Sequence, residues 1–169
     1  MQQIIFITGG TRSGKSSFAM KLARQLSDKP VYIATARIWD EDFRMRIQKH
    51  RDERGAEWET IEEDIHIDTL KLSGNIVVVD CITLWLTNIF HDSGYMFEKS
   101  LNTAKIILER FFKNNCTIIV ISNELGMGIH GSNEVSRKFA DLQGFINQYI
   151  ANLSDDVYLM ISGIPVKVK

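Results

Sequence analysis

The sequence predicts an α/β fold of the P-loop NTPase-like kind, a mostly parallel sheet with helices on both faces. Three observations carry this expectation. Short apolar, β-branched runs alternate with longer segments of helical pattern, as a parallel sheet covered by helices requires. The first run leads directly into GGTRSGKSS, which begins at Gly9. A later run, NIVVVD, ends in a carboxylate at Asp80.

The elements follow in chain order. QIIFIT (Gln3 to Thr8) is the first strand, and the segment from Lys15 to Leu26 reads as the helix after the loop. VYIAT (Val31 to Thr35) is the second strand, followed by a helix from Asp40 to Arg54. NIVVVD (Asn75 to Asp80) is the third, with helices from Ile82 to Phe90 and Tyr95 to Lys113 behind it. CTIIVIS (Cys116 to Ser122) is the fourth, then a helix from Asn133 to Leu153, and DVYLMIS (Asp156 to Ser162) is the last. Most of these runs are continuously apolar, as strands buried on both faces are. No repeat and no Pro/Gly/Ser linker interrupts them, and with two prolines in the chain nothing marks a domain boundary. Residues 1–169 are therefore expected to form a single P-loop nucleotide-binding domain.

Bulk properties narrow the class. A chain of 169 residues, 44% hydrophobic and 24% charged, can bury a core without disulfides. A net charge of −1 gives no reason to expect nucleic acid or an anionic membrane as a partner, so anion chemistry must come from local clusters. The start, MQQIIFITGG, lacks a basic n-region and reads as no signal peptide. Asp80, Asn88 and Asp92 cut the later apolar stretches too short to span a bilayer. The two cysteines, Cys81 and Cys116, lie in or beside strand-like runs and read as buried free thiols in a reducing cytoplasm.

GGTRSGKSS fits GxxxxGK[ST], with Gly9, Gly14, Lys15 and Ser16 in the required places. Glycines let backbone N–H groups turn toward phosphate oxygens, Lys15 brings a cation to the terminal phosphates, and the Ser16 hydroxyl can ligate Mg²⁺. Asp80 fits the Walker-B carboxylate that holds the Mg²⁺ shell, although an Asp at a strand-to-helix turn can also be a plain cap. This much is compatible with a kinase, an ATPase or a switch protein. The guanine-specificity signature NKxD of switch GTPases is missing from the sequence.

In the expected helix from Asp40 to Arg54, Phe43, Ile47, His50 and Arg54 recur at spacings of three and four and share a face. Arg46, Lys49, Arg51 and Arg54 surround His50; cations disfavour imidazolium and leave the ring neutral and nucleophilic. The residues alone leave two readings open, a structural or exposed histidine and a catalytic one. Asn123 and Glu124, at the end of a strand, are likewise either turn and cap residues or substrate contacts.

Taken together, ITGGTRSGKSSFA, YIATA, RIQKHRDERGAEWETIEE, DCITLWLTN, ISNELGMGI, NQYIA and the terminal SGIPVKVK resemble the bifunctional adenosylcobinamide kinase/adenosylcobinamide-phosphate guanylyltransferase family of cobalamin biosynthesis. The likeness runs from the first strand to the last residues. It implies phosphorylation of adenosylcobinamide with ATP or GTP, then transfer of GMP from GTP to adenosylcobinamide phosphate through a guanylylated histidine, here His50. It implies nucleotide contacts from Gly9, Gly10, Thr11, Arg12, Ser13, Gly14, Lys15 and Ser16, and from Ala34, Thr35 and Ala36. Further contacts are implied from Arg51, Asp52, Glu53 and Arg54, from Glu62, and from Asp80, where relatives carry Glu. Ser16 and Asp80 would hold Mg²⁺. The partners it implies are the two corrinoid substrates and other copies of the same chain in a homo-oligomer, a trimer among the candidates. GIHGSNEVSRKFADLQG departs from the family pattern: His130 and Gly131 stand for a Val-Pro pair and Ala140 for an arginine, which touches corrinoid contacts and the kinase half more than the GTP site. His66 and His91 match no motif and read as surface residues. Two rival classes keep the P-loop without this chemistry: a kinase of another small hydroxylated metabolite, and a switch or assembly protein that binds and slowly hydrolyses nucleotide.

Overall fold

The computed structural model describes residues 2–38, 45, 55–128 and 131–169. The strands are β1 (Gln3–Gly9), β2 (Val31–Ala34), β3 (Glu59–Glu62), β4 (Ile76–Asp80), β5 (Thr117–Asn123), β6 (Asp156–Ile161) and β7 (Ile164–Lys167). The helices are α1 (Lys15–Leu26), α2 (Ile82–Asp92), α3 (Phe97–Phe111) and α4 (Glu134–Leu153). The strands form one sheet in the order β3-β2-β4-β5-β1-β6-β7, parallel throughout except for the antiparallel β6–β7 pair. The carboxyl ends of β3, β2, β4, β5, β1 and β6 therefore share one edge.

Side-chain alternation along each strand splits the core into two layers. Ile4, Phe6, Val31, Ile33, Val77, Val79, Ile118 and Val120 face the layer under α2, α3 and α4. Ile5, Ile7, Tyr32, Val78, Ile119 and Ile121 face the opposite layer, where Ala19 and Ala23 of α1 pack. Two fully buried alanines four residues apart let α1 lie close on the strands. The α2 stripe Ile82, Trp85, Leu86, Ile89 and Phe90 is buried at helical spacing, and the Trp85 indole donates to Ile65 O at 2.8 Å. Helix α4 begins with a capping box in which Asn133 and Ser136 satisfy each other's backbone N–H groups.

The expected strands and three of the helices with described residues fall where the sequence puts them. The helix expected from Tyr95 begins later, at Phe97. Gly94 and Tyr95 carry φ values of 66° and 60°, and their N–H groups bond to His91 O and Phe90 O, so they close α2 instead of opening α3. The helix expected over Asp40 to Arg54 lies outside the described residues, Met45 apart. Two strands have no counterpart in the sequence reading. Strand β3 is an edge strand that exposes both its glutamates. Strand β7 is exposed at every position and contains Pro165, and it returns on β6 through Ser162 and Gly163, whose φ values of 50° and 87° form a two-residue hairpin turn. Cys81 and Cys116 are free and buried as expected, and His66 and His91 are exposed. Among the described residues no helix is long and apolar enough to cross a membrane.

Candidate nucleotide site

Strand β1 delivers Gly9 to the centre of the carboxyl edge. A Cβ there would lie 2.7 Å from Met160 O and 2.9 Å from the Ser13 hydroxyl, so only glycine lets the chain turn against β6. The loop then folds on itself, Ser13 N–H donating to Gly10 O at 3.3 Å, with Arg12 in the left-handed region at φ 59°. The β6–β7 turn supports it from outside, as Gly163 N–H donates to Ser13 O at 2.9 Å. Helix α1 starts after Gly14 with neither a side-chain cap nor an acidic residue in its first turn. Its amino-terminal N–H groups and the positive end of its dipole are thus directed at whatever anion enters the loop.

Lys15 is buried, and its ammonium donates to Gly9 O at 3.0 Å and Gly10 O at 2.6 Å. Burial lowers its pKa, opposed by the nearby Cys81 and Asp80. Ser16 Oγ donates to Asp80 Oδ2 at 2.8 Å, and the Tyr32 hydroxyl donates to the same oxygen at 2.6 Å. The structure thus joins the two residues expected at a metal. A serine hydroxyl and a carboxylate at the phosphate end of a P-loop are the hard oxygen donors that Mg²⁺ takes alongside phosphate oxygens and water.

Strand register sets the next contacts in a row: Ala34 pairs with Glu62 on one side and Asp80 on the other. Glu62 is exposed at this edge. Thr35 lies underneath, fully buried, its N–H donating to Asp80 O at 3.2 Å and its hydroxyl to Cys81 O at 2.8 Å. Asn88 of α2, also fully buried, donates from Nδ2 to Thr35 O at 2.8 Å and Asp64 O at 3.1 Å. Arg37, just beyond Ala36, reaches Asp64 with Nε and grips Asp92 with both terminal nitrogens at 2.7 Å. Its guanidinium, helped by His91, holds the Asp92 carboxyl down at about 2. Asn123 N–H donates to Thr83 Oγ1 at 2.9 Å and Glu124 N–H to Gly9 O at 3.0 Å, while a Glu124 carboxylate oxygen accepts from Gly126 N–H. These bonds give Asn123 and Glu124 turn-forming positions beside the loop.

The structure therefore brings together the loop Gly9 to Ser16, Ala34 to Ala36, Glu62 and Asp80. His50, Arg51, Asp52, Glu53 and Arg54 lie outside the described residues. Tyr32, Arg37 and Asn88 are not among the site residues expected from the sequence. Each sits in or next to one of the quoted motifs, but only strand register and helix placement reveal their contacts. Further along α2 a cavity of about 460 Å³ opens against the start of α4, walled by Phe90, Tyr95, Val135 and Phe139, with Thr87 and His91 at polar positions.

A glycine loop between strand and helix, with a buried lysine and a serine bonded to a strand-end aspartate, defines a P-loop nucleotide-binding protein. The fold agrees: the chain superposes on an ATPase of the type III secretion system of pathogenic bacteria with TM-score 0.58 at 12% identity, covering 99% of this chain and 57% of that one. It also superposes on the flagellar accessory protein FlaH of Methanocaldococcus jannaschii with TM-score 0.51 at 13% identity, covering 99% and 78%. Within that class, residues 5–168 match the family described as cobinamide kinase / cobinamide phosphate guanyltransferase, and the chain belongs to it. Similar proteins include the bifunctional adenosylcobalamin biosynthesis protein CobU of Salmonella typhimurium, 35% identical over 98% of this chain and 99% of its own. That of Escherichia coli is 33% identical over the same shares. CobP of Pseudomonas aeruginosa is 36% identical over 96% of this chain and 95% of its own.

Proposed function

We propose that this chain phosphorylates adenosylcobinamide with ATP or GTP and then transfers GMP from GTP to adenosylcobinamide phosphate, giving adenosylcobinamide-GDP and pyrophosphate. The observation that carries the reading is family membership along nearly the whole chain, joined to a loop whose Lys15, Ser16 and Asp80 are assembled for a nucleoside triphosphate.

In the kinase step the loop N–H groups and the Lys15 ammonium hold the phosphates, and the acceptor hydroxyl attacks the terminal phosphorus; the bond to the β–γ bridging oxygen breaks, its electron pair leaves with the nucleoside diphosphate, and the hydroxyl proton passes to solvent. Lys15 then exchanges its contacts with Gly9 O and Gly10 O for phosphate oxygens. In the transferase step a neutral His50 nitrogen attacks the α-phosphorus of GTP. The bond to the β-phosphate oxygen breaks, its electron pair leaves with pyrophosphate, and the imidazole loses the proton on its other ring nitrogen. An oxygen of the acceptor phosphate next attacks the same phosphorus, the P–N bond breaks as the imidazole takes up a proton from solvent, and neutral His50 is regenerated. Arg51 and Arg54 neutralise charge on the phosphates, and Ala34, Thr35, Ala36, Asp52, Glu53 and Glu62 line the nucleotide. Ser16 and Asp80 would hold Mg²⁺, which would supply Lewis-acid neutralisation of the phosphate charge.

We read the cavity between α2 and α4 as the acceptor side of the site. Its largely apolar and aromatic lining suits the broad surface of a macrocycle, and Thr87 lies one helical turn along α2 from Thr83, whose hydroxyl accepts from Asn123 N–H at the end of β5. The active form is a homo-oligomer, with a trimer as the working assignment, acting in the cytoplasm. The test is turnover: purified protein with adenosylcobinamide, Mg²⁺, ATP and GTP, followed by chromatography for the phosphate and then the GDP derivative. Nucleotide hydrolysis without either product would sink the reading in favour of a switch protein.

A further inference from the structure

We infer that Tyr32 is a positioning residue for the Asp80 carboxylate, a role that rests on the nucleotide-and-metal reading of the loop. Tyr32 is 3% exposed in the middle of β2, in an apolar layer that includes Ile5, Ile7, Val78, Ile119 and Ile121. Its ring meets Trp58 edge-on, centroids 5.8 Å apart at 88°. A phenylalanine would satisfy that packing, so the hydroxyl is what distinguishes this position.

The hydroxyl does not lie in the strand's own ladder. It crosses to the neighbouring strand and donates to Asp80 Oδ2 at 2.6 Å, a distance typical of a hydrogen bond to a charged oxygen. The register explains the reach: Tyr32 pairs with Val78 and Ala34 with Asp80, so Tyr32 and Asp80 are diagonal neighbours across β2 and β4. From the other direction Ser16 Oγ donates to the same oxygen at 2.8 Å. Two donors, one from a strand and one from the first turn of α1, converge on Oδ2, and neither takes Oδ1.

The consequence is orientational. A half-exposed aspartate at a strand end with a single donor keeps freedom about its side-chain torsions, whereas two donors on one oxygen fix the carboxylate plane. Ser16 is itself expected at the metal, so its bond to Asp80 depends on how the serine is engaged. Tyr32 is buried in the core and keeps its hold on Oδ2 in either state. Partners of this kind behind a ligating carboxylate orient it and tune its affinity for the ion.

The test is GTP binding to the full chain by titration calorimetry across a Mg²⁺ series and in EDTA. Tyr32→Phe is expected to raise the half-saturating Mg²⁺ concentration about 10-fold, the usual loss for an outer partner of a metal ligand, with GTP affinity in EDTA unchanged. Asp80→Asn is expected to raise it as well, and Tyr32→Phe on that background to add nothing, because the tyrosine acts through the aspartate. Tyr32→Leu, which also removes the ring, should lower Tm further yet give the same Mg²⁺ shift. An unchanged Mg²⁺ requirement in Tyr32→Phe, an equal loss of affinity in EDTA, or additivity with Asp80→Asn would each overturn the assignment and leave a merely satisfied core hydroxyl. A wild type whose GTP affinity ignores Mg²⁺ would overturn it together with the metal reading. None of these outcomes depends on cobinamide turnover.

Discussion

Asn88→Ala is expected to lower stability and nucleotide affinity together, because one buried amide joins three segments of the site. Nδ2 donates to Thr35 O and Asp64 O, and Thr35 in turn bonds to the Asp80 and Cys81 backbone. The amide orientation is unambiguous, since the flipped group would set its oxygen against two carbonyls. Truncation leaves Thr35 O buried without this donor, at a cost of about 1–3 kcal/mol, and the part-buried Asp64 O adds a smaller amount. A total of about 2–4 kcal/mol corresponds to a Tm fall of about 5–15 °C for a chain of this size. Denaturant titration and thermal unfolding measure the first effect, and GTP affinity at fixed Mg²⁺ the second. Asn88→Asp supplies a sign test. Its carboxyl would face the same two carbonyls, which favours the protonated form and raises its folded pKa above the ordinary value of about 3.9. Its stability is then greatest below that value and falls as pH rises through the folded pKa. An Asn88→Ala protein within about 0.5 kcal/mol of wild type would refute the reasoning, because that is the range of changes at positions without such a role.

Arg37→Ala should release Asp92, whose carboxyl titrates at about 2 against Arg37. The bridge stabilises the fold above the ordinary aspartate pKa and is lost as pH falls through about 2, so the variant should show Asp92 titrating near 4 by NMR and a flatter acid limb of stability. The two thiols should resist a disulfide reagent at pH 8 until denaturant is added, since burial pushes Cys81 up to about 12 and Cys116 to about 11. Rapid labelling of either thiol in folded protein would contradict their burial. Val135→Trp, at a half-exposed position lining the α2–α4 cavity, is expected to raise the KM for adenosylcobinamide while leaving GTP affinity unchanged. An unaltered KM would remove the cavity from the acceptor site.

The central strands were legible because burial on both faces writes itself as unbroken apolar runs, Ile4 to Ile7 and Ile118 to Ile121 among them. The phosphate loop was legible because its geometry admits few residues: Gly9 has Met160 O where a Cβ would be. The edge strands β3 and β7 were not, since Glu59, Glu62 and Pro165 carry no burial pattern and their pairing is decided by the neighbouring strand. Tyr32 illustrates the limit within the site. Its sequence context, VYIAT, says only that it belongs to an apolar strand. That its hydroxyl meets a carboxylate 48 residues away follows from the β2–β4 register, which no local pattern encodes. Likewise Arg37 and Asn88 show ordinary charge and polarity until α2 is laid across the loops after β2 and β3.

The central claim is the covalent transfer through His50, and trapping with α-labelled GTP and Mg²⁺ in the absence of corrinoid tests it most directly. The account predicts acid-labile label on the protein, absent in His50→Ala and discharged to adenosylcobinamide-GDP when adenosylcobinamide phosphate is added. Protein that forms adenosylcobinamide-GDP while never carrying label, or that carries label undiminished in His50→Ala, would contradict it.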